Sequence, residues 1–303
     1  MSGATTAAER KLHLDARAVA IVIACTVIWG FGQLASKIAL AQVPPFTQGG
    51  VRSLAAGVLV LGWARWRGVR LLERDGTLGP GLLAGMLFAA EFGAIYSALR
   101  FTTVGRMTVF LYLAPFVVAL GMVFISRAER LSALAFSGLA AAFGGVSLAF
   151  VDGFTAAAIG PQQWVGDLLG VSAALGWGAT TLVVRATRLA PVHPAKTLLY
   201  QLGVSAVVLL AIGAAVGEQV SWPLRVDVWV AMVFQIVVVG STSYLVWFWL
   251  IRTYSATRLS AFTLLTPVVA LVAGALVLHE PLTARLLVAL GAVCVGLLAV
   301  NRR

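Results

Sequence analysis

Three ionisable residues sit inside stretches otherwise oily enough to enter a membrane: Lys37, within VIWGFGQLASKIAL, then Arg52 and Glu91. An ionisable group inside a span costs about 2.5 to 3.5 kcal/mol on insertion scales, so each needs a partner, water or a function. Counted at about 1.5 Å per residue from the expected outer ends of their helices, the three lie about 6, 9 and 10 Å deep. All are then in the outer half. A glutamate between two cations at one level suits three chemistries. The trio can close the outer side as a paired gating network, with Lys37 reaching toward the interface. It can bind a solute, Glu91 taking an ammonium and Arg52 or Lys37 a carboxylate. Glu91 can also carry a proton.

Aromatic residues supply the other candidates, because a site for a small solute is mostly apolar with a few placed polar groups. Trp29 and Gln33 share a helical line with Lys37, and Trp177 and Thr181 hold the matching places later in the chain. Tyr96, Tyr112, Tyr244 and Trp247 add rings able to stack on a solute or meet an ammonium face-on. Ordinary helix packing accounts for any one of these rings equally well. Trp63, Trp66, Trp164, Trp222 and Trp229 fall near expected membrane boundaries and fit an interfacial belt.

Other chemistry is scarce. Cys25 and Cys294 lie in apolar segments without metal-ligand spacing, and His13, His193 and His279 lie toward termini or loop ends. No Walker-type phosphate loop is present. The sequence therefore calls for no metal and no cofactor. An enzyme within the membrane, a channel and a sensor are the weaker alternatives to carriage of a solute.

The elements that must position these residues are read from composition. Hydrophobic residues make up 60% of the 303 and charged residues 11%, with a mean hydropathy of +0.97. A soluble domain could not cover that much apolar surface with so few charges, so the chain reads as an integral membrane protein. The net charge of +11 does not point to nucleic acid, since basic residues interrupt oily segments instead of clustering with stacking aromatics. The first apolar run is about 23 residues, longer than the core of a cleavable export signal, and reads as a first membrane helix.

At about 20 apolar residues per crossing, ten spans are expected: 18–41, 46–64, 78–98, 104–126, 131–151, 165–187, 195–217, 227–250, 257–278 and 282–300. With both termini cytoplasmic, sixteen Lys and Arg fall inside, against Arg100, Arg106, Arg225 and Arg285 outside. The expected class is an all-α integral membrane protein. Its divisions are a cytoplasmic segment 1–17, a first repeat 18–151, an outer connection 152–164 and a second repeat 165–303.

The repeat itself is visible in the residues. LRFTTVGRMTVFLYLAP, Leu99 to Pro115, lies without a gap over IRTYSATRLSAFTLLTP, Ile251 to Pro267. Trp29-Gly30 with Lys37 lies over Trp177-Gly178 with Arg185, and Glu129 over Glu280. Arg52 and Glu91 face Gln201 and Ser243 in this register, so the charges are not duplicated. Five helices per half is odd, so the second half enters the bilayer inverted, and two inverted halves can exchange roles to expose a midplane cavity first inward and then outward, which points to a transporter. Pro115 and Pro267, at equivalent places within spans, are expected to kink the fourth and ninth helices.

Trp29-Gly30 with Lys37, Pro44-Pro45 and Arg52, then Tyr244-Leu245-Val246-Trp247-Phe248, Pro267-Val268-Val269-Ala270, Glu280-Pro281-Leu282, Gly291 and Gly296, form an ordered set. With it the chain resembles the drug/metabolite transporter superfamily, in particular its EamA-type ten-helix exporters. The resemblance implies export of small metabolites across a bacterial inner membrane, with exporters of aromatic and other neutral amino acids the nearest in appearance. It also implies that helices 1 to 4 and 6 to 9 surround a cavity while helices 5 and 10 pack to the side. Ser137, Ala141 and Gly145 would allow close approach on helix 5, either within one chain or in a homodimer through helices 5 and 10.

Overall fold

A computed structural model describes residues 15–73, 75–125, 133–155, 160–254, 259 and 262–301, and its elements are helices. In chain order they are α1 (Ala16–Ala39), α2 (Pro45–Trp66), α3 (Leu78–Ala98), α4 (Val104–Leu111), α5 (Ala114–Ile125) and α6 (Ala133–Thr155). There follow α7 (Gln163–Ala186), α8 (Pro194–Ala215), α9 (Val226–Val233), a π-helical segment (Phe234–Ser243), α10 (Tyr244–Thr253), α11 (Leu265–Leu278) and α12 (Ala284–Asn301). Six helical stretches are long and apolar enough to cross a membrane: 16–39, 78–98, 104–125, 163–186, 194–215 and 226–247. Shorter apolar helices cover 136–149, 265–278 and 284–299, and α2 has the length, 22 residues, but carries Arg52 and Arg65. The terminal segment 1–14, the α5–α6 connection with Glu129, and 255–258 lie outside the described residues.

Local sequence explains where these helices start. Asp15 accepts the amide of Ala18 at 2.8 Å and so caps α1. The second helix begins at Pro45 and the eighth at Pro194, the position where a missing amide costs nothing. The expected fourth span is broken: α4 ends at Leu111 and α5 resumes at Ala114, one residue before Pro115. In the ninth span, helix over 262–263 gives way at Leu264 before α11 carries Pro267. In both places the proline ring removes the amide that the carbonyl four residues earlier would use. For Pro267 that carbonyl belongs to Thr263, and the Tyr112 hydroxyl donates to it at 2.7 Å. The two broken helices thus meet at their breaks.

The helices pack as two similar groups. The third, fourth, fifth and seventh helices form one, and α1, α9 to α10 and α11 form the other. Between them α2 lies on α8, and α6 lies on α12 to the side. Close approach depends on small residues. A Cβ added to Gly30 of α1 would stand 2.6 Å from Val269 of α11, and one added to Gly145 of α6 would stand 2.5 Å from Ala292 of α12. Gly145 is therefore used within the chain, while Ser137 and Ala141 are exposed. The expected belt is mostly outward-facing: Trp66, Trp164, Trp222 and Trp229 are exposed, whereas Trp63 packs into the core beside His193.

Candidate functional site

Arg52 is the centre of the site. It lies two turns into α2 and is 2% exposed. Its guanidinium carbon stands 4.3 Å over the ring of Phe92, which covers one face of the cation. Tyr96, Tyr244 and Glu91 are its electrostatic neighbours, and its Nη1 has no hydrogen-bond partner among the described residues. Three of these residues come from α3, where Phe88, Phe92 and Tyr96 form a ladder with ring centroids 4.5 and 5.8 Å apart. Glu91, on the same helix, is 6% exposed. Gly176 lets α7 approach so closely that an added Cβ would stand 3.1 Å from that of Glu91.

A polar network that the sequence did not announce braces this centre. The amide oxygen of Gln235, in the π-helical segment, accepts from Gln48 of α2 at 3.1 Å, Ser36 of α1 at 3.2 Å and Tyr96 of α3 at 3.3 Å. Gln235 in turn donates to the Ala35 carbonyl at 3.3 Å, and Gln48 donates to the Ser36 carbonyl at 3.1 Å. Four elements are joined through one amide. Gln48 lies one turn before Arg52, and its own oxygen is buried without a partner among the described residues.

The other candidates divide into pairs. The Trp29 indole donates to Ser243 at 2.9 Å and meets Trp247 edge-on at 5.0 Å. Since Ser243 precedes Tyr244, this pair adjoins the Arg52 group through two successive residues where the π-helical segment passes into α10. Tyr112 meets Trp177 edge-on at 6.2 Å. The Thr181 hydroxyl donates to the Trp177 carbonyl at 3.0 Å, so it satisfies its own helix while keeping acceptor capacity. Gln33 is half-buried, and its side-chain oxygen has no partner among the described residues.

Lys37 is not brought into the Arg52 and Glu91 group. Its ammonium donates to the Leu99 carbonyl and, at 2.6 Å, to that of Thr102, at the end of α3 and in the turn that follows. The charge that it senses is Glu280. Counting depth along helix axes placed the three ionisable residues at one level, but it ignores azimuth, and Lys37 faces a different neighbour.

Three further charged residues, none of them read as a site from the sequence, are engaged across the fold. Arg106, expected in an outer loop, is a buried residue of α4 and forms a two-pronged ion pair with Asp167 of α7. Thr102 adds a hydrogen bond to the same carboxylate at 2.8 Å. Glu280 accepts the Val104 amide at 2.9 and 3.0 Å, capping α4 from the α11–α12 turn. Nothing in the sequence singled out Asp167, because its partners Arg106 and Thr102 lie 61 and 65 positions away. Among the described residues, no three His, Cys, Asp or Glu are placed to hold a metal.

The EamA-like transporter family model matches residues 16–151 and 164–302. Two Bacillus subtilis (strain 168) proteins are similar: the uncharacterized transporter YvbV, 27% identical with 94% of this chain and 92% of that one covered, and the uncharacterized transporter YoaV, 25% identical with 91% and 94% covered. The uncharacterized transporter sll0355 of Synechocystis sp. is 27% identical, with 97% and 93% covered. A solved crystal structure shares the fold at a TM-score of 0.67 and 19% identity, over 94% of this chain and 96% of that chain. With helices fit to cross a membrane and a family match over both halves, the chain belongs to the EamA-like transporter family and is a multi-pass membrane transporter.

Proposed function

We propose that this protein is a secondary transporter or facilitator that carries small amino-acid-like metabolites, aromatic or otherwise neutral, out of a bacterial cell across its inner membrane by alternating access. The carrying observation is Arg52, buried with a donor that has no partner among the described residues, beside Glu91 and enclosed by Phe92, Tyr96 and Tyr244. An unsatisfied buried donor costs about 1 to 3 kcal/mol, and more when charged. Such a cost is retained where a ligand uses the group. A zwitterion supplies a carboxylate to the guanidinium and an ammonium to Glu91, while the rings hold an apolar side chain.

Alternating access is supported by the correspondence between halves. The first and seventh helices each have 24 residues, and the second and eighth each have 22 with proline at the start. The two family-matched stretches fall in the same two halves. Inverted halves can exchange roles around a fixed site. Both termini inside and ten spans belong to the same reading. Export is the direction that the resemblance implies, and a homodimer through α6 and α12 is compatible with it.

The competing substrate reading is a different anionic or cationic solute, such as a drug, amine, nucleoside or nucleotide-type metabolite, because Arg52 would hold a phosphate as readily as a carboxylate. Purified protein in liposomes, given amino acids, amines and nucleosides with and without a pH gradient, separates the two. Saturable uptake of neutral amino acids supports the proposal. Uptake confined to amines or nucleosides replaces the substrate class, and conversion of any solute in place of its movement would sink the transporter mechanism.

A further inference from the structure

We infer that Gln48 is a specificity-determining residue of the proposed solute site, its side-chain oxygen taking an N–H of the solute's ammonium while Arg52, one turn on, takes the carboxylate. The inference rests on the substrate reading given above. It adds a chemical demand to that reading: the solute must keep N–H groups on its nitrogen, and a trimethylammonium zwitterion of equal charge is disfavoured.

Neighbours fix the orientation of the Gln48 carboxamide. Gln235 donates to the Ala35 carbonyl at 3.3 Å, which leaves its oxygen to receive Gln48. The Gln48 nitrogen donates to that oxygen and to the Ser36 carbonyl, both at 3.1 Å. Reversing the Gln48 amide would set its oxygen against two acceptors. The oxygen is therefore the atom left over. Gln48 is 0% exposed, and its oxygen has no partner among the described residues. A buried acceptor without a donor costs stability, so its retention calls for a donor that arrives with the solute.

Arg52 carries the complementary orphan. Residues four apart share a helix face, yet the Gln48 oxygen and the Arg52 Nη1 do not satisfy each other. Contacts elsewhere hold them apart: the guanidinium is stacked 4.3 Å over Phe92 of α3, while the carboxamide is drawn to α1 and the π-helical segment. Both side chains nevertheless adjoin the same walls. The Tyr96 ring lies on α2 at Gly49, where an added Cβ would stand 3.0 Å from it, and Tyr96 shares the Gln235 oxygen with Gln48. Tyr96 is also an electrostatic neighbour of Arg52. Further along the π-helical segment, a Cβ added to Gly240 would stand 3.6 Å from the Arg52 Nε. One turn is about 6 Å along the helix axis, a span that an ammonium and a carboxylate on one carbon bridge with a hydrogen bond at each end. Glu91 supplies charge to the ammonium. Gln48, being neutral, reads its N–H groups.

The test is counterflow in proteoliposomes of the neutral amino acid that the parent carries fastest among phenylalanine, leucine and threonine. Unlabelled competitors are that amino acid and its N-methyl, N,N-dimethyl and N,N,N-trimethyl derivatives, of which the last keeps both charges but has no N–H. In the parent, the inhibition constant should rise by roughly tenfold or more from the ammonium to the trimethylammonium form. Gln48→Met should raise KM for the amino acid by roughly tenfold with the maximal rate little changed, and should narrow the ammonium-to-trimethylammonium gap to roughly threefold or less. Should Gln48→Met fail to accumulate, Gln48→Asn, whose carboxamide stops one carbon short, carries the same expectation. A flat series in the parent, or a series as steep in the Gln48 variant as in the parent, overturns the role of Gln48 and leaves the Arg52 reading standing. Absence of saturable counterflow for all three amino acids overturns the substrate reading and this inference with it.

Discussion

At the scale of single residues, the site rests on a buried guanidinium and the amide that organises its surroundings. Gln235 receives three donors on one oxygen, so Gln235→Leu removes their shared acceptor at once. A loss of about 1 to 3 kcal/mol is expected from donors left buried, read as a lower melting temperature in detergent, with Gln235→Glu retaining more stability. Asp75 offers a second residue-scale test. Lys196 and Thr77 hydrogen-bond its carboxylate and hold its pKa down to about 2. Because the folded value is depressed, its contribution is present above the unfolded value of about 3.9 and is lost as pH falls toward about 2. Asp75→Asn should therefore melt below the parent at pH 7, and the gap should narrow by pH 3. A gap that widens on acidification contradicts this pairing. Arg52 and Glu91 were legible because charge is rare in an oily helix. Gln48 and Gln235 were not, since glutamine in a span is a weak signal and their contact joins residues 187 positions apart.

At the scale of elements, the helix breaks were readable and the π-helical segment was not. A proline well inside a span takes away an amide that an earlier carbonyl would use, so Pro115 and Pro267 announced interruptions, whereas Pro45 and Pro194 merely open their helices. The widened turn at 234–243 has no such marker. It is held by hydroxyls, with Ser241 donating to the Ile236 and Val237 carbonyls at 3.0 and 2.7 Å, and Thr242 to Val237 at 2.7 Å. Only the fold shows that those hydroxyls turn back on their own helix. The Tyr112 contact to Thr263 makes the proline break testable. Tyr112→Phe takes the Tyr112 donor from the half-buried Thr263 carbonyl and should cost about 1 kcal/mol, within the range for hydrogen bonds between membrane helices. Unchanged melting in detergent would show that the Thr263 carbonyl is satisfied in some other way.

At the scale of the whole molecule, composition alone required a membrane, and the offset near 150 residues between matching segments exposed the two halves. What composition does not encode is which faces meet. Lys37 illustrates the gap: its partners are backbone carbonyls at the end of α3 and in the turn after it, which no side-chain pattern names. Substrate class is one step further from the sequence: in the proposed site it rests on the arrangement about Arg52 made by α2, α3 and Tyr244, the first residue of α10. The most direct test is counterflow of labelled neutral amino acids into proteoliposomes preloaded with the same solute, comparing the parent with Arg52→Gln at matched reconstitution. The account predicts saturable, preloading-dependent uptake by the parent and a loss of roughly tenfold or more in Arg52→Gln, as expected for a charged bidentate contact. Equal counterflow by both proteins would contradict the central place given to Arg52.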